Sequence, residues 1–162
     1  MKKLFSLLFL VLLLPLVLLS QPVNKKQLLS PQDTLKVMES IQKYAITFGE
    51  GKNEIHTFVD PYCELSQRYM AFIFNKKERM FSKYTFHFYL LELRGKDSSD
   101  IITTILSSEF KEISLKSVMI NHEDLEDEES MESQEAVESI KKAAQKIGVF
   151  KRPYILINGK VK

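Results

Sequence analysis

The chain has 162 residues, 44% of them hydrophobic, enough for one compact domain with a core of ordinary size. Its 23 basic and 21 acidic residues leave a formal charge of +2, which makes no case for nucleic acid or an anionic membrane surface as a partner. One cysteine, Cys63, excludes a disulfide within the chain.

The chain begins "MKK" and continues as an apolar run, Leu4 to Leu19, without a charge. A basic start followed by such a run has the form of a secretory signal, with cleavage after Ser20. The run is shorter than the roughly 20 residues of a spanning helix and holds Pro15. Leu18 stands where a signal prefers a small residue, so an uncleaved anchor through residues 4–19 is the alternative. Either way the expectation is a folded part outside the cytoplasm, in a bacterium periplasmic or secreted, tethered to the inner membrane if the segment stays. Residues 21–29 read as a linker, and residues 30–162 as the domain.

"SPQDTLKVMESIQKY" offers Ser30 as a helix cap and Pro31 at the first helical position, with apolar residues at helical spacing. A helix over 31–43 is expected. "YAITFGEG" and "NEIHTFVD" are β-rich around a glycine turn and read as a hairpin. From Cys63 to Phe81 the composition predicts one helix, with Tyr69, Phe72, Ile73, Lys76 and Met80 near one face. Tyr84 to Leu93 reads as a buried strand. Helices are expected in "SSDIITTILSS", in "EFKEISLKSVM" and in "ESMESQEAVESIKKAAQKIG", the last with acids first, lysines last and Gly148 at its stop. The acidic run Glu123 to Glu138 is a solvated face, with docking of a basic partner as the weaker option. "RPYILINGKVK" predicts a strand, an Asn158-Gly159 turn and a return strand. The order is that of an α/β or α+β domain.

Cys63 stands directly after an apolar strand and at the start of a helix. Unpaired backbone N–H groups and a positive dipole end favour thiolate there, and thiolate is the nucleophilic form. The plain alternative is a buried structural thiol, and Glu64 places a negative charge beside the sulfur that works against ionisation. An exposed, reactive site is the preferred reading. His56, His87 and His122 show no ligand spacing with each other or with Cys63, so no metal or other cofactor is expected. The aromatics from Phe86 to Tyr89 read as core.

"IHTFVDPYCELS" resembles the strand, turn and helix start of thioredoxin-fold proteins, more closely those of the periplasmic Dsb-type thiol:disulfide interchange and isomerase family, with their F-x-D-P-x-C-x-x-C pattern. Downstream, "IGVFKRPYILINGK" resembles that family's segment around a proline that is cis and faces the active-site cysteine; Pro153 is the matching position. The resemblance covers about Ala45 to Lys162. It implies a thioredoxin-like fold with a helical insertion, and a substrate groove at Tyr62, Arg152, Pro153 and Tyr154. There are two departures. Ser66 stands where the family has its second cysteine, so the motif is C-x-x-S. The chain also reaches Lys162 without the family's terminal helix; the 31–43 helix is the candidate to cover that face, and otherwise an edge is left exposed.

A lone thiol can attack a disulfide, but an outside thiol must resolve the product. Cys63 is therefore the candidate nucleophile. Ser66 is either the remnant of a lost thiol or a hydroxyl that hydrogen-bonds the thiolate. The leading expectation is thiol-disulfide exchange or isomerase-like shuffling of monothiol type, on protein thiols or disulfides and with an external reductant. Its competitor is a binding or assembly module that keeps the groove without catalysis, and behind both stands a purely structural domain.

Overall fold

A computed structural model describes residues 28–162; the signal or anchor and most of the linker lie outside them. Helix α1, Pro31–Ile41, starts as its residues predict: Ser30 Oγ accepts from the backbone N–H of Asp33 at 3.2 Å and Pro31 occupies the first turn. It closes through a 3-10 turn over Gln42–Tyr44. Strands β1 (Ile46–Phe48) and β2 (Asn53–Val59) follow. Helices α2 (Glu64–Phe74) and α3 (Lys77–Lys83) lead to strand β3 (Tyr84–Leu90). Helices α4 (Ser99–Ser107), α5 (Lys111–Lys116, continued by a π turn to Asn121) and α6 (Met131–Ile147) form an insertion before β4 (Tyr154–Ile157) and β5 (Lys160–Val161).

The five strands lie in the order β1-β3-β2-β4-β5, with β2 and β3 parallel and the other neighbours antiparallel. The expected hairpin of β1 with β2 does not form, because β3 lies between them. Alternation marks a strand without naming its partner. Two glycines carry the connection across the start of β3: Gly49 has φ +86°, and a Cβ on Gly51 would stand 2.0 Å from the backbone of Lys83 and Tyr84. The hairpin at the other end does form, with Asn158 and Gly159 both at positive φ as a type I′ turn requires.

One sheet face is sealed by α2 and α3. Phe88 meets Tyr69 and Phe48 edge-on, and Phe48 packs on Phe74 and Phe81. Phe86, Phe88 and Tyr89 are fully buried, as core residues. Helix α6 packs on β3, α4 and α1. It is capped by Ser130 and Ser133 at its start and by Gly148 at φ +83° at its end.

The single helix expected over 63–81 is two. Asn75 ends α2, and Lys76 at φ −124° breaks the ladder before α3. The buried residues of α2 are Ser66, Met70 and Ile73, while Phe72 is 50% exposed, so the inward face is displaced from the expected one. No helix among the described residues is long and apolar enough to cross a membrane.

A polar pair sits inside the sheet. His56 and His87 are register partners on β2 and β3, their rings stacked at 4.8 Å. His56 Nδ1 lies 3.1 Å from the Tyr89 hydroxyl and His87 Nδ1 3.0 Å from that of Thr47. The two Nε2 atoms lie 3.8 and 3.9 Å from the Glu54 carboxylate. Burial, and then the charge of His87, pull His56 down to about 4; burial also lowers His87, against a smaller opposing pull from Glu54. Above about pH 7.5 both histidines are neutral in the folded and unfolded chain and stability does not depend on them. Below that the unfolded chain takes up protons first, so stability falls from pH 6.5 towards 4, by about 3 kcal/mol for His56. Urea melts between pH 7.5 and 4.5 are expected to show this slope, and His56→Gln to flatten it; equal slopes in both proteins would contradict the assignment.

Candidate functional site

Strand β2 ends at Val59 and delivers Asp60, Pro61, Tyr62 and Cys63 to the edge of the sheet ahead of α2. Cys63 is the N-cap of that helix, one residue before the position expected, with φ −85° and ψ 113°. Its carbonyl accepts from Gln67 N–H at 3.0 Å, the first bond of the helix. Its own N–H donates to the Asp60 carbonyl at 3.1 Å, which closes the turn.

Opposite stands the loop before β4. The Arg152–Pro153 peptide bond is cis, and the Arg152 carbonyl lies 4.0 Å from Cys63 Sγ as the thiol's acceptor. The fold thus brings together a helix-start cysteine and a proline loop 89 positions later in the sequence. Cys63 is 6% exposed, which departs from the exposed site expected: the proline loop lies against it. Ser66 is fully buried, and its hydroxyl accepts from the Asp60 N–H at 3.3 Å; the hydrogen bonds of Ser66 include none to the Cys63 sulfur.

Of the residues expected to line a groove, Tyr62 is 46% exposed and Pro153 half-buried. Arg152 and Tyr154 are buried. The Arg152 guanidinium donates to three carbonyls, of Leu91 at 3.1 Å, Lys151 at 2.8 Å and Glu92 at 3.2 Å, and so pins the proline loop to the end of β3. Burial pulls this guanidinium down to about 10, with Asp60 and then Cys63 opposing the shift. It remains a cation at neutral pH beside the sulfur. Tyr154 packs on Phe58 and Phe150 as a core ring. The exposed apolar residues next in sequence to the cysteine turn and the proline loop are Tyr62, Leu65, 59% exposed, and Phe150.

The residue that organises the site is Asp60. It is fully buried, and its carboxylate accepts from Tyr62 N–H at 2.8 Å, Ser98 Oγ at 3.0 Å and Leu93 N–H. It therefore joins the cysteine turn, the exit of β3 and the start of α4. The sequence carried a signal for it, since an acid directly after the β-rich run Ile55–Val59 must find donors when buried. Among the described residues no cluster of three or more His, Cys, Asp or Glu side chains has metal-site geometry.

No protein-family model and no curated protein matches the chain. Solved structures do. The catalytic domain of Proteus mirabilis ScsC superposes with a TM-score of 0.66 at 14% identity, over 81% of this chain and 88% of that one. A disulfide interchange protein from Neisseria gonorrhoeae gives 0.58 at 15%, over 71% and 80%. A periplasmic thioredoxin-like protein from Salmonella enterica serovar Typhimurium gives 0.57 at 10%, over 77% and 86%. Likeness of this kind, at such low identity, speaks for the fold.

Proposed function

We propose that this chain, which has the thioredoxin-like fold of Dsb-type proteins, carries out thiol-disulfide exchange with Cys63 as its only sulfur nucleophile. The observation that carries the reading is the meeting of Cys63 Sγ with the carbonyl before cis-Pro153. Cys63 stands at the start of α2, and the guanidinium of Arg152, in the loop that lies against it, is pinned by three carbonyls. The structural neighbours, interchange proteins and periplasmic thioredoxin-like proteins by description, support protein thiols and disulfides as substrates and a compartment outside the cytoplasm. The form of residues 1–20 points the same way.

The reaction has two steps. The Cys63 thiolate attacks one sulfur of a substrate disulfide, a Cys63–substrate disulfide forms, and the other substrate sulfur leaves as thiolate. A further thiolate then attacks the substrate sulfur of that bond and releases Cys63. If the attacker is another cysteine of the substrate, a disulfide has moved with no net oxidation or reduction. If it is an external thiol, the substrate ends in a disulfide with that thiol. Ser66 has no sulfur with which to intervene. Tyr62, Leu65 and Phe150 offer apolar surface that suits segments of incompletely folded proteins.

The burial of Cys63 favours one second reading, a binding or assembly module that keeps the groove and has lost turnover. Refolding of a ribonuclease with scrambled disulfides separates the two. The exchange reading predicts acceleration by the reduced full chain, increased by added glutathione and abolished by Cys63→Ala. Equal suppression of substrate aggregation by wild type and Cys63→Ala, with no acceleration by either, would favour the module.

A further inference from the structure

A cavity of about 290 Å³ is bounded by the end of β3, the first turn of α4, one face of α6 and the proline loop. Cys63 does not line it. Leu91, Ile102, Val137 and Val149 give it apolar walls. At about 30 Å³ per non-hydrogen atom, the share a water molecule takes in the liquid, the space holds a molecule of about ten such atoms.

One end is cationic. The Arg152 guanidinium donates to the carbonyls of Leu91 and Glu92, and all three residues line the cavity, which places the charge at that end. At 8% exposure it is the one lysine or arginine buried among the described residues. Three of its five N–H groups donate, all to carbonyls, and no ion pair among the described residues includes it. Asp60 acts on it through space, but that carboxylate is occupied by donors of Tyr62, Leu93 and Ser98. Burying a cation without a carboxylate partner is unfavourable, and a bound carboxylate offsets part of that. Lys141 of α6 lines the same space. The carboxylate of Glu92 also does, and its Oε1 already accepts from Ser98 N–H at 3.2 Å.

We propose that this cavity binds a small amphiphilic carboxylate, its alkyl body between Ile102, Val137 and Val149 and its head group at Arg152 and Lys141. The site is separate from the thiol, yet the two share a residue. The Arg152 carbonyl lies 4.0 Å from Cys63 Sγ while its guanidinium lies at the cavity, so a ligand here braces the loop that rests on the cysteine.

Octanoate has the size required and is the probe. Octanol and octylamine keep its chain and change its head group. Isothermal titration calorimetry on the full chain is expected to show one octanoate per chain, with the alcohol and the amine at least about tenfold weaker. Val137→Phe, which fills the cavity, is expected to weaken octanoate at least about tenfold, and Lys141→Glu, at an exposed position, about fivefold. Circular dichroism checks that each variant is folded. Equal affinity for octanoate and octanol overturns the proposal, as does tighter binding of octylamine or no binding of octanoate at millimolar concentration. So does octanoate binding that a folded Val137→Phe leaves unchanged; if that variant does not fold, Lys141→Glu decides in the same way.

Discussion

Replacing Asp60 by alanine is expected to lower the stability of the domain by about 3–5 kcal/mol in urea melts at pH 7. The carboxylate is fully buried and holds three donors, from Tyr62, Leu93 and Ser98, in a place water does not reach. Its removal leaves those donors unpaired and strips the nearby Arg152 of the charge that most opposes its desolvation. Each effect costs about 1–3 kcal/mol, and they act at one junction of three loops. Asp60→Asn is expected to lose less, because one amide oxygen can still accept from Tyr62 N–H while the NH2 end meets donors. The turn before Cys63 should loosen with the alanine change, since Asp60 also supplies the carbonyl that receives Cys63 N–H. A loss under about 1 kcal/mol would mean that the three donors find other partners and that Asp60 is not the tie described.

The second large effect is a gain of chemistry. In the Ser66→Cys variant a thiol replaces the buried hydroxyl one turn into α2. The exchange reading predicts that mixed disulfides at Cys63 become shorter-lived by on the order of a hundredfold or more, because the new thiol attacks intramolecularly. The variant should then form a disulfide between Cys63 and the introduced thiol, and oxidise reduced substrates directly. Stability should fall by about 1 kcal/mol, since sulfur is a poorer acceptor than the hydroxyl for Asp60 N–H. Mixed disulfides as long-lived in the variant as in wild type would show that the two positions are not arranged as a dithiol site.

Much of this architecture was readable in the residues. Ser30-Pro31, Gly148 and Asn158-Gly159 act through their own backbone chemistry, and each sits where that chemistry placed it. The meeting of Cys63 with Pro153 followed from two motifs, a resemblance more than a derivation. Strand pairing was not readable: Ile46–Phe48 alternates as any strand would, and only the tertiary fold makes Phe88 rather than β2 its neighbour. The break at Asn75 and Lys76 carries no proline or glycine to announce it. Arg152 beside a proline looks like a surface residue until three carbonyls are found around its guanidinium. Asp60 and Ser98 stand 38 positions apart, and their contact has no local signature.

Exchange chemistry requires that a thiol only 6% exposed react in the folded protein. The direct measurement is to incubate the native full chain with glutathione disulfide, quench with acid at intervals and weigh the protein by mass spectrometry. The exchange reading predicts one glutathione adduct per chain, located at Cys63, absent in Cys63→Ala, and removed again by added external thiol. A native chain that stays unmodified while the urea-unfolded chain forms the adduct would contradict it, and Cys63 would be a structural thiol.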